Sequence, residues 1–500
     1  TSIFALPISG MGMCGFVAAV LVLRLFKMIR FATTIFANTR QILYCCYPLL
    51  KLSSPASEKN GVLPSCILRL LHQFHFIRNI IGFALIILLA SPIRCNQGWL
   101  HSSVFPSDYR DNFGYSVSLY TNNFVVASDV YAYFFHTSDG GASWLQVYQI
   151  SGCRRAVSIY GNTVLCGNYL TTGRVARSGA AYIFKSVNDG ATWSQVTKLY
   201  PSDGRRDDQF GLAVSLYDNT ALISAKGSAY IFMDAGGARW NLKQKLRPSG
   251  RESQYVYSVS LHINTALFGF KSPKPTGYIF RSFNGGASWQ EMAKLTASED
   301  GMVPDGFSLS LFGNIALISA PYSALVFRSN DGGLTWPSSE TVKLTQSEST
   351  VYFGSRVSIY DTSALVSDYG DYGGKAYIFQ SKDGGTTWTQ TAKLTSDAPG
   401  NSNGHFGWSV SLFKDTALLG AIWENQYQSG RAHFFKLICG NNVLDHGETC
   451  DDGNQHNNDG CSSRCDIETG WSCSGPPSSC TTICGDGLIL GDETCDDGNI

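Results

Sequence analysis

The side chains with the chemistry to bind or react fall into three groups. Asp451, Asp452, Asn454 and Asp459 lie between Cys450 and Cys461. Closely spaced oxygens on a cross-linked loop are hard ligands, and the cation they suit is calcium. Their bland role is to form turns and caps, with the disulfides supplying stability. Asp139, Asp331 and Asp383 share one position in a recurring loop, Ser/Thr-x-Asp/Asn-x-Gly-x-Ser/Thr-Trp. Glycosidases need two carboxylates facing one bond, but acids at a fixed offset in a repeated loop serve the turn itself. The third group is arginine. Arg154, Arg155, Arg174, Arg177, Arg205 and Arg206 crowd one stretch and could form a basic patch for acidic glycans. Asp203, Asp207, Asp208, Asp368 and Asp371 are expected in solvated turns, with ligand contact as the sharper reading. No HExxH, P-loop or GxSxG motif is present.

The elements that must position these residues recur. Ser118, Ser158, Ser215, Ser260, Ser310, Ser358 and Ser411 each end a Val-Ser or Leu-Ser pair, 40, 57, 45, 50, 48 and 53 residues apart. Each copy has an alternating strand such as SVSLY, a two-residue turn, a second strand such as TALISA, a third such as AYIF, and a fourth that begins at a Trp. Period-two alternation with β-branched and aromatic residues predicts strands, and Gly-Asn or Asp-Asn suits a tight hairpin. Four short strands per repeat make a propeller blade. The fourth strands or their loops carry Trp144, Trp193, Trp240, Trp289, Trp336 and Trp388, whose rings are expected to bury against the blades. The seventh copy stops after its third strand, and Trp99 to Phe105 has the spacing of the missing fourth. The expected fold is all-β: a seven-bladed propeller closed by an N-terminal strand, which hides two edge strands.

The unit resembles the FG-GAP repeat family, the integrin-α-like propeller. Phe113-Gly114, Phe210-Gly211, Phe353-Gly354 and Phe406-Gly407 match its FG, and ALISA or ALLGA stands where GAP would be. The loop before each Trp resembles the Asp-box of sialidase-type propellers, where it is structural and peripheral; the Arg-Ile-Pro motif of that family is absent. Integrin-type repeats carry a DxDxDG calcium loop, whereas the connection here is a two-residue turn that cannot wrap a calcium shell. Residues 439–483 and 484–500 resemble Myxococcus-type cysteine-rich repeats, through Cys-Gly, Gly-Glu-x-Cys-Asp-Asp-Gly-Asn and Asp-Gly-Cys-Ser. The second copy is cut at Ile500, so a continuation is expected.

Eight of the fifteen cysteines lie in residues 439–500. Such density implies disulfides and an oxidising compartment, with Cys439, Cys450, Cys461, Cys465, Cys473 and Cys480 as candidates. Cys153 and Cys166 flank a hairpin whose register does not set them opposite each other. Residues 1–98 hold nine Lys/Arg and one acid, and residues 439–500 twelve acids and one Arg. Within 1–98, the apolar runs 1–23 and 80–93 are candidate transmembrane or signal segments, either both inserted or the second cleaved near Cys95. Both readings place the propeller, residues 99–438, outside the cytosol, secreted or membrane-anchored. Nothing points to nucleic acid. The expected function is non-enzymatic recognition or adhesion, with loops shown to an extracellular protein or glycan, and calcium as the sole candidate cofactor. The alternatives are a carbohydrate-active, sialidase-like enzyme, which needs carboxylates and arginines converging at the central mouth, and a structural spacer of a large surface protein.

Overall fold

The computed structural model describes residues 94–96, 99–105, 111–141, 143–173, 175–236, 238–249, 254–271, 274–298, 307–346, 352–370, 373–397, 404–424, 429–437, 448–454, 456–462, 465–475 and 477–491. The two apolar segments, Arg174, Asp371 and Cys439 lie outside them. Among the described residues no helix is long and apolar enough to cross a membrane.

Seven antiparallel sheets form a ring, and six of them follow chain order. Blade one is Ser116–Tyr120, Asn123–Ala127, Tyr131–His136 and Leu145–Ser151. Its first strand alternates, with Val117 and Leu119 buried in the blade and Ser116, Ser118 and Tyr120 turned towards the ring axis. The second strand is buried throughout, as are TALISA in blade three and TALLGA in blade seven, because it lies between sheets on both sides. Blade seven takes Phe406–Phe413, Thr416–Ala421 and Arg431–Leu437 from the end of the repeat array. Its fourth strand is Trp99–Val104, paired antiparallel with Arg431–Leu437 from Trp99↔Leu437 to Val104↔Ala432. The ring is closed by the start of the chain. One strand was not foreseen: Arg94–Asn96 adds a fifth, outermost member to that sheet.

The apolar core divides into seven clusters, one in each seam between neighbouring blades; Leu365 and Ile378 of blade six, for example, meet Leu419 and Phe435 of blade seven. The Phe-Gly pairs sit in these seams. Phe113, Phe210 and Phe406 are fully buried, and Phe113 stands edge-on to Tyr133 at 5.1 Å. Gly114 follows with φ +95°, and a Cβ there would lie 2.7 Å from the Arg431 carbonyl oxygen of the preceding blade. Only glycine takes that dihedral while letting two backbones approach so closely.

Polar bonds also cross every seam. Leu119, Ile159, Leu216, Leu261, Leu311, Ile359 and Leu412 donate their N–H to Ser411, Ser118, Ser158, Ser215, Ser260, Ser310 and Ser358 Oγ, at 2.9–3.1 Å. The serines that define the repeat therefore form a closed ring of seven clasps around the axis. Removing one hydroxyl orphans an N–H in a narrow, partly wet channel, which costs about 1 kcal/mol. Ser358→Ala is expected to lower the unfolding free energy by that amount, read as a lower urea midpoint at unchanged slope. An unchanged midpoint would show that the clasp contributes no net stability.

Candidate functional site

The seven first strands line an axial channel of about 700 Å³. Because side chains alternate along each strand, the channel is layered. Two residues beyond the anchor serines stand Tyr120, Tyr160, Tyr217, His262, Phe312, Tyr360 and Phe413. Their rings make a complete circle with neighbouring centroids 4.3–5.0 Å apart. Burial holds the His262 imidazole down at about 4, so it sits neutral among the other rings, and its Nδ1 accepts the Gly313 N–H at 3.0 Å.

Before the serines the channel opens into a mouth lined by Tyr115, Arg155, Tyr169, Gln209, Tyr257, Lys271 and Arg356. The Arg155 guanidinium lies 4.5 Å over the Tyr115 ring, and its Nε meets Asp129 Oδ1 at 2.5 Å. Arg356 lies 5.4 Å from the Trp408 ring and 5.9 Å from that of Tyr369. Among the described residues that line the channel there is no Asp or Glu. A mouth with three cations and several aromatic faces suits an anionic ligand with a flat or sugar-like body.

Of the arginines singled out in the sequence, Arg155 alone of the described ones lines this channel. Arg177 and Arg206 pair with Asp207 at 3.2 and 3.6 Å, the Arg205 backbone N–H donates to Asp208, and the Arg154 guanidinium donates to the Asp129 carbonyl. Asp203 accepts from Tyr230 OH and Lys245 Nζ, at 2.9 and 2.7 Å. Asp368 is buried on the second strand of blade six. The mouth residues Lys271, Arg356 and Trp408 were not picked out from the sequence. A usable signal existed, since Tyr115, Arg155, Tyr257 and Trp408 each stand three residues before an anchor serine.

The Asp-boxes lie away from the mouth, on the loops between third and fourth strands. Asp331 accepts from Ser329 Oγ, Leu334 N–H, Thr335 N–H and Thr335 Oγ, and Asp383 holds the equivalent set in blade six. The Thr335 hydroxyl holds the Asp331 carboxyl well below the usual range, and the Thr387 N–H does the same for Asp383. The rings of Trp193 and Trp289 are buried behind these loops and donate to Gly190 and Gly286 carbonyls; Trp336 and Trp388 make the same bond to Gly333 and Gly385 while only partly buried. Trp240 is buried in the degenerate copy, and Trp144 packs edge-on to Phe434.

In the cysteine-rich region Cys450 pairs with Cys461 and Cys473 with Cys480; Cys465 is also disulfide-bonded. Asp451 and Asp452 accept the N–H of Gly453 and Asn454, Asn454 Oδ1 accepts that of His456, and Asn454 Nδ2 donates to Asp459 Oδ2 at 2.9 Å. Asp459 Oδ1 is buried without a hydrogen-bond partner. Desolvation raises the Asp452 carboxyl, and the charges of Asp459 and Asp451 add to it. In blade two Cys153 and Cys166 are joined, Cα to Cα 5.6 Å. The strand register pairs Cys166 with Val157, and Cys153 reaches it because the lead-in folds back, with Arg154 N–H on the Gly167 carbonyl.

Comparison with known proteins follows the same division. Residues 193–238 and 388–435 match the FG-GAP repeat model, and residues 424–466 and 468–500 match a domain of unknown function, DUF4215. The chain carries FG-GAP repeats and a DUF4215 cysteine-rich region. No curated protein matches it. Among solved structures it is similar to the WD40 propeller domain of Doa1 (13% identity, TM-score 0.45, 69% of this chain and 99% of that one). It is also similar to U3-55K (10%, 0.47, 67% and 98%) and to the WD40 repeats of RRP9 (8%, 0.45, 68% and 97%).

The FG-GAP blades also predict an acid response. Desolvation pushes the Asp139 carboxyl up, but donation by Ser143 and Thr137 outweighs it and brings the pKa down to about 2. The folded value is below the unfolded one, near 3.9. The loop's stabilisation is therefore present above pH about 4 and is lost as pH falls towards 2. Asp139→Asn keeps the acceptor, as Asn188 and Asn284 do in other blades, and removes the titration. The melting temperature of the variant is expected to fall less steeply between pH 4 and 2 than that of the parent; parallel curves would refute the assignment.

Proposed function

We propose that this propeller, whose FG-GAP repeats typically build interaction modules, is a non-catalytic recognition or adhesion module, secreted or membrane-anchored with the propeller outside the cell, that takes an acidic glycan at the channel mouth. The observation that carries the reading is the convergence of Arg155, Lys271 and Arg356 with Tyr115, Tyr169 and Tyr257 around one opening. Aromatic faces stack on sugar rings and cations pair with carboxylate or sulfate groups. The disulfides at Cys153–Cys166, Cys450–Cys461 and Cys473–Cys480 support an oxidising compartment. The alternative, a sialidase-like enzyme, would need carboxylates converging with the arginines at the mouth. Calcium in the cysteine-rich region forms part of the proposal, supported by the unpartnered Asp459 oxygen beside Asp451 and Asp452.

The test is a glycan array probed with the secreted protein, with calcium and then with chelator. Binding to acidic glycans is expected, weakening as salt rises. Arg356→Ala and Lys271→Ala should each cost about tenfold in affinity, the size of one charge-assisted contact. Loss of binding in chelator would implicate the tail acids, and indifference would discard calcium while leaving the mouth. Acidic-glycan binding untouched by either substitution, or absent altogether, would sink the mouth as the site.

A further inference from the structure

Blade seven contains a buried polar cluster that the channel does not use. His101 comes from the closing strand Trp99–Val104 and His433 from Arg431–Leu437. Both face the seam with blade six, where His433 stands edge-on to Phe406 at 5.0 Å and His101 stacks on Phe435 at 4.3 Å. The two histidines are 2% and 0% exposed. Glu424, 2% exposed, comes from the loop after Thr416–Ala421, and Asp397 from the loop that leads out of blade six. The position is unusual within the repeat: where blade seven has His433, five other blades have Tyr133, Tyr182, Tyr230, Tyr278 and Tyr377.

The hydrogen-bond directions constrain the chemistry. His433 Nε2 contacts Glu424 Oε2. A carboxylate can only accept, so Nε2 carries the proton and Nδ1 presents its lone pair. That lone pair faces His101 Nε2 at 2.9 Å. A carboxylate oxygen of Asp397 and one ring nitrogen of each histidine all lie within 4.8 Å of one another, and Asp397 Oδ1 is buried with no hydrogen-bond partner. Glu424 and Asp397 face one guanidinium, that of Arg431, at 3.9 and 3.8 Å, which leaves one negative charge over. We propose that His101, His433 and Asp397 ligate one divalent transition ion, zinc by donor type, and that Glu424 is the outer carboxylate that orients His433. Two imidazoles and a carboxylate are zinc ligands, and a carboxylate on the far nitrogen of a ligating histidine is the usual supporting contact. Tetrahedral zinc would set the two nitrogens about 3.3 Å apart, a few tenths of an ångström from where they stand. Such an ion would bind the first strand of the ring to the last blade, two elements 332 residues apart. The paired cysteines Cys450, Cys461, Cys473 and Cys480 do not compete for it, and among the described residues Cys484 is a lone exposed thiol.

The test measures zinc in the full chain purified without chelator, then after EDTA and re-addition. About one zinc per chain is expected, with a tetrahedral cobalt spectrum on substitution and a melting temperature several degrees higher with metal than without. Asp397→Asn, at a partly exposed position, and His101→Gln are each expected to weaken zinc at least tenfold. Their metal-free melting temperatures report whether they fold, and should His101→Gln fail to fold, Asp397→Asn alone decides. No uptake by the parent chain would show that the two histidines share a proton and nothing else. Equal uptake by parent and Asp397→Asn would place the ion elsewhere. Either result overturns the proposal.

Discussion

Each blade meets the next through a backbone N–H that finds a serine hydroxyl on its neighbour, and the ring depends on that contact. The first strand of a blade is an edge strand, and the groups it turns away from its own sheet need partners in a region too narrow for a full hydration shell. A small hydroxyl meets the need. It accepts from the neighbouring strand without widening the channel, and its own strand presents the next N–H in turn. The seven bonds are of similar length, from 2.9 to 3.1 Å, because the repeat places the same group at the same height in every blade. A larger side chain at any of these positions would push two inner strands apart and open the apolar seam behind them.

This arrangement also explains what was legible from residues alone. The anchor serines were found as punctuation in a repeat, and the fold followed from their number and from the unpaired end of the seventh copy. The closing strand was legible because Trp99 to Phe105 matched a gap. The aromatic circle was harder to see, since its members stand two residues past each anchor but vary among Tyr, His and Phe. The mouth was legible only in part. Arg155 stood out in a run of arginines, but Arg177 and Arg206 in that run are absorbed by Asp207 and Arg154 by the Asp129 carbonyl. Lys271 gave no local signal, and Arg356 stands out only once the copies are aligned on their anchor serines. They meet Arg155 only because strands far apart in sequence converge on one axis.

Blade seven is an exception to the repeat. In five blades the pairing of third and fourth strands shifts register midway. The closing strand pairs without a shift over all six of its residues. An unbroken register turns His101 into the seam, and there it meets the one third strand among the Tyr-bearing copies that carries His instead. The seam between blades six and seven thus joins apolar packing to a buried charged cluster.

The mouth departs from the repeat in a similar way. Two residues before the anchors stand Ser116, Ala156, Ala213, Ser258, Ser308, Arg356 and Ser409, six small side chains and one arginine. A rigid ring makes such an irregularity expensive, because a long cation in a layer built for serine and alanine must give up water and find room. Arg356 finds both against Trp408 and Tyr369, whose faces hold the guanidinium over the opening. Arg155 is held in the same manner by Tyr115 and Asp129. Cations fixed in this way lose little further freedom when an anion arrives, so more of each contact remains as affinity. A channel that only needed filling would have used another serine.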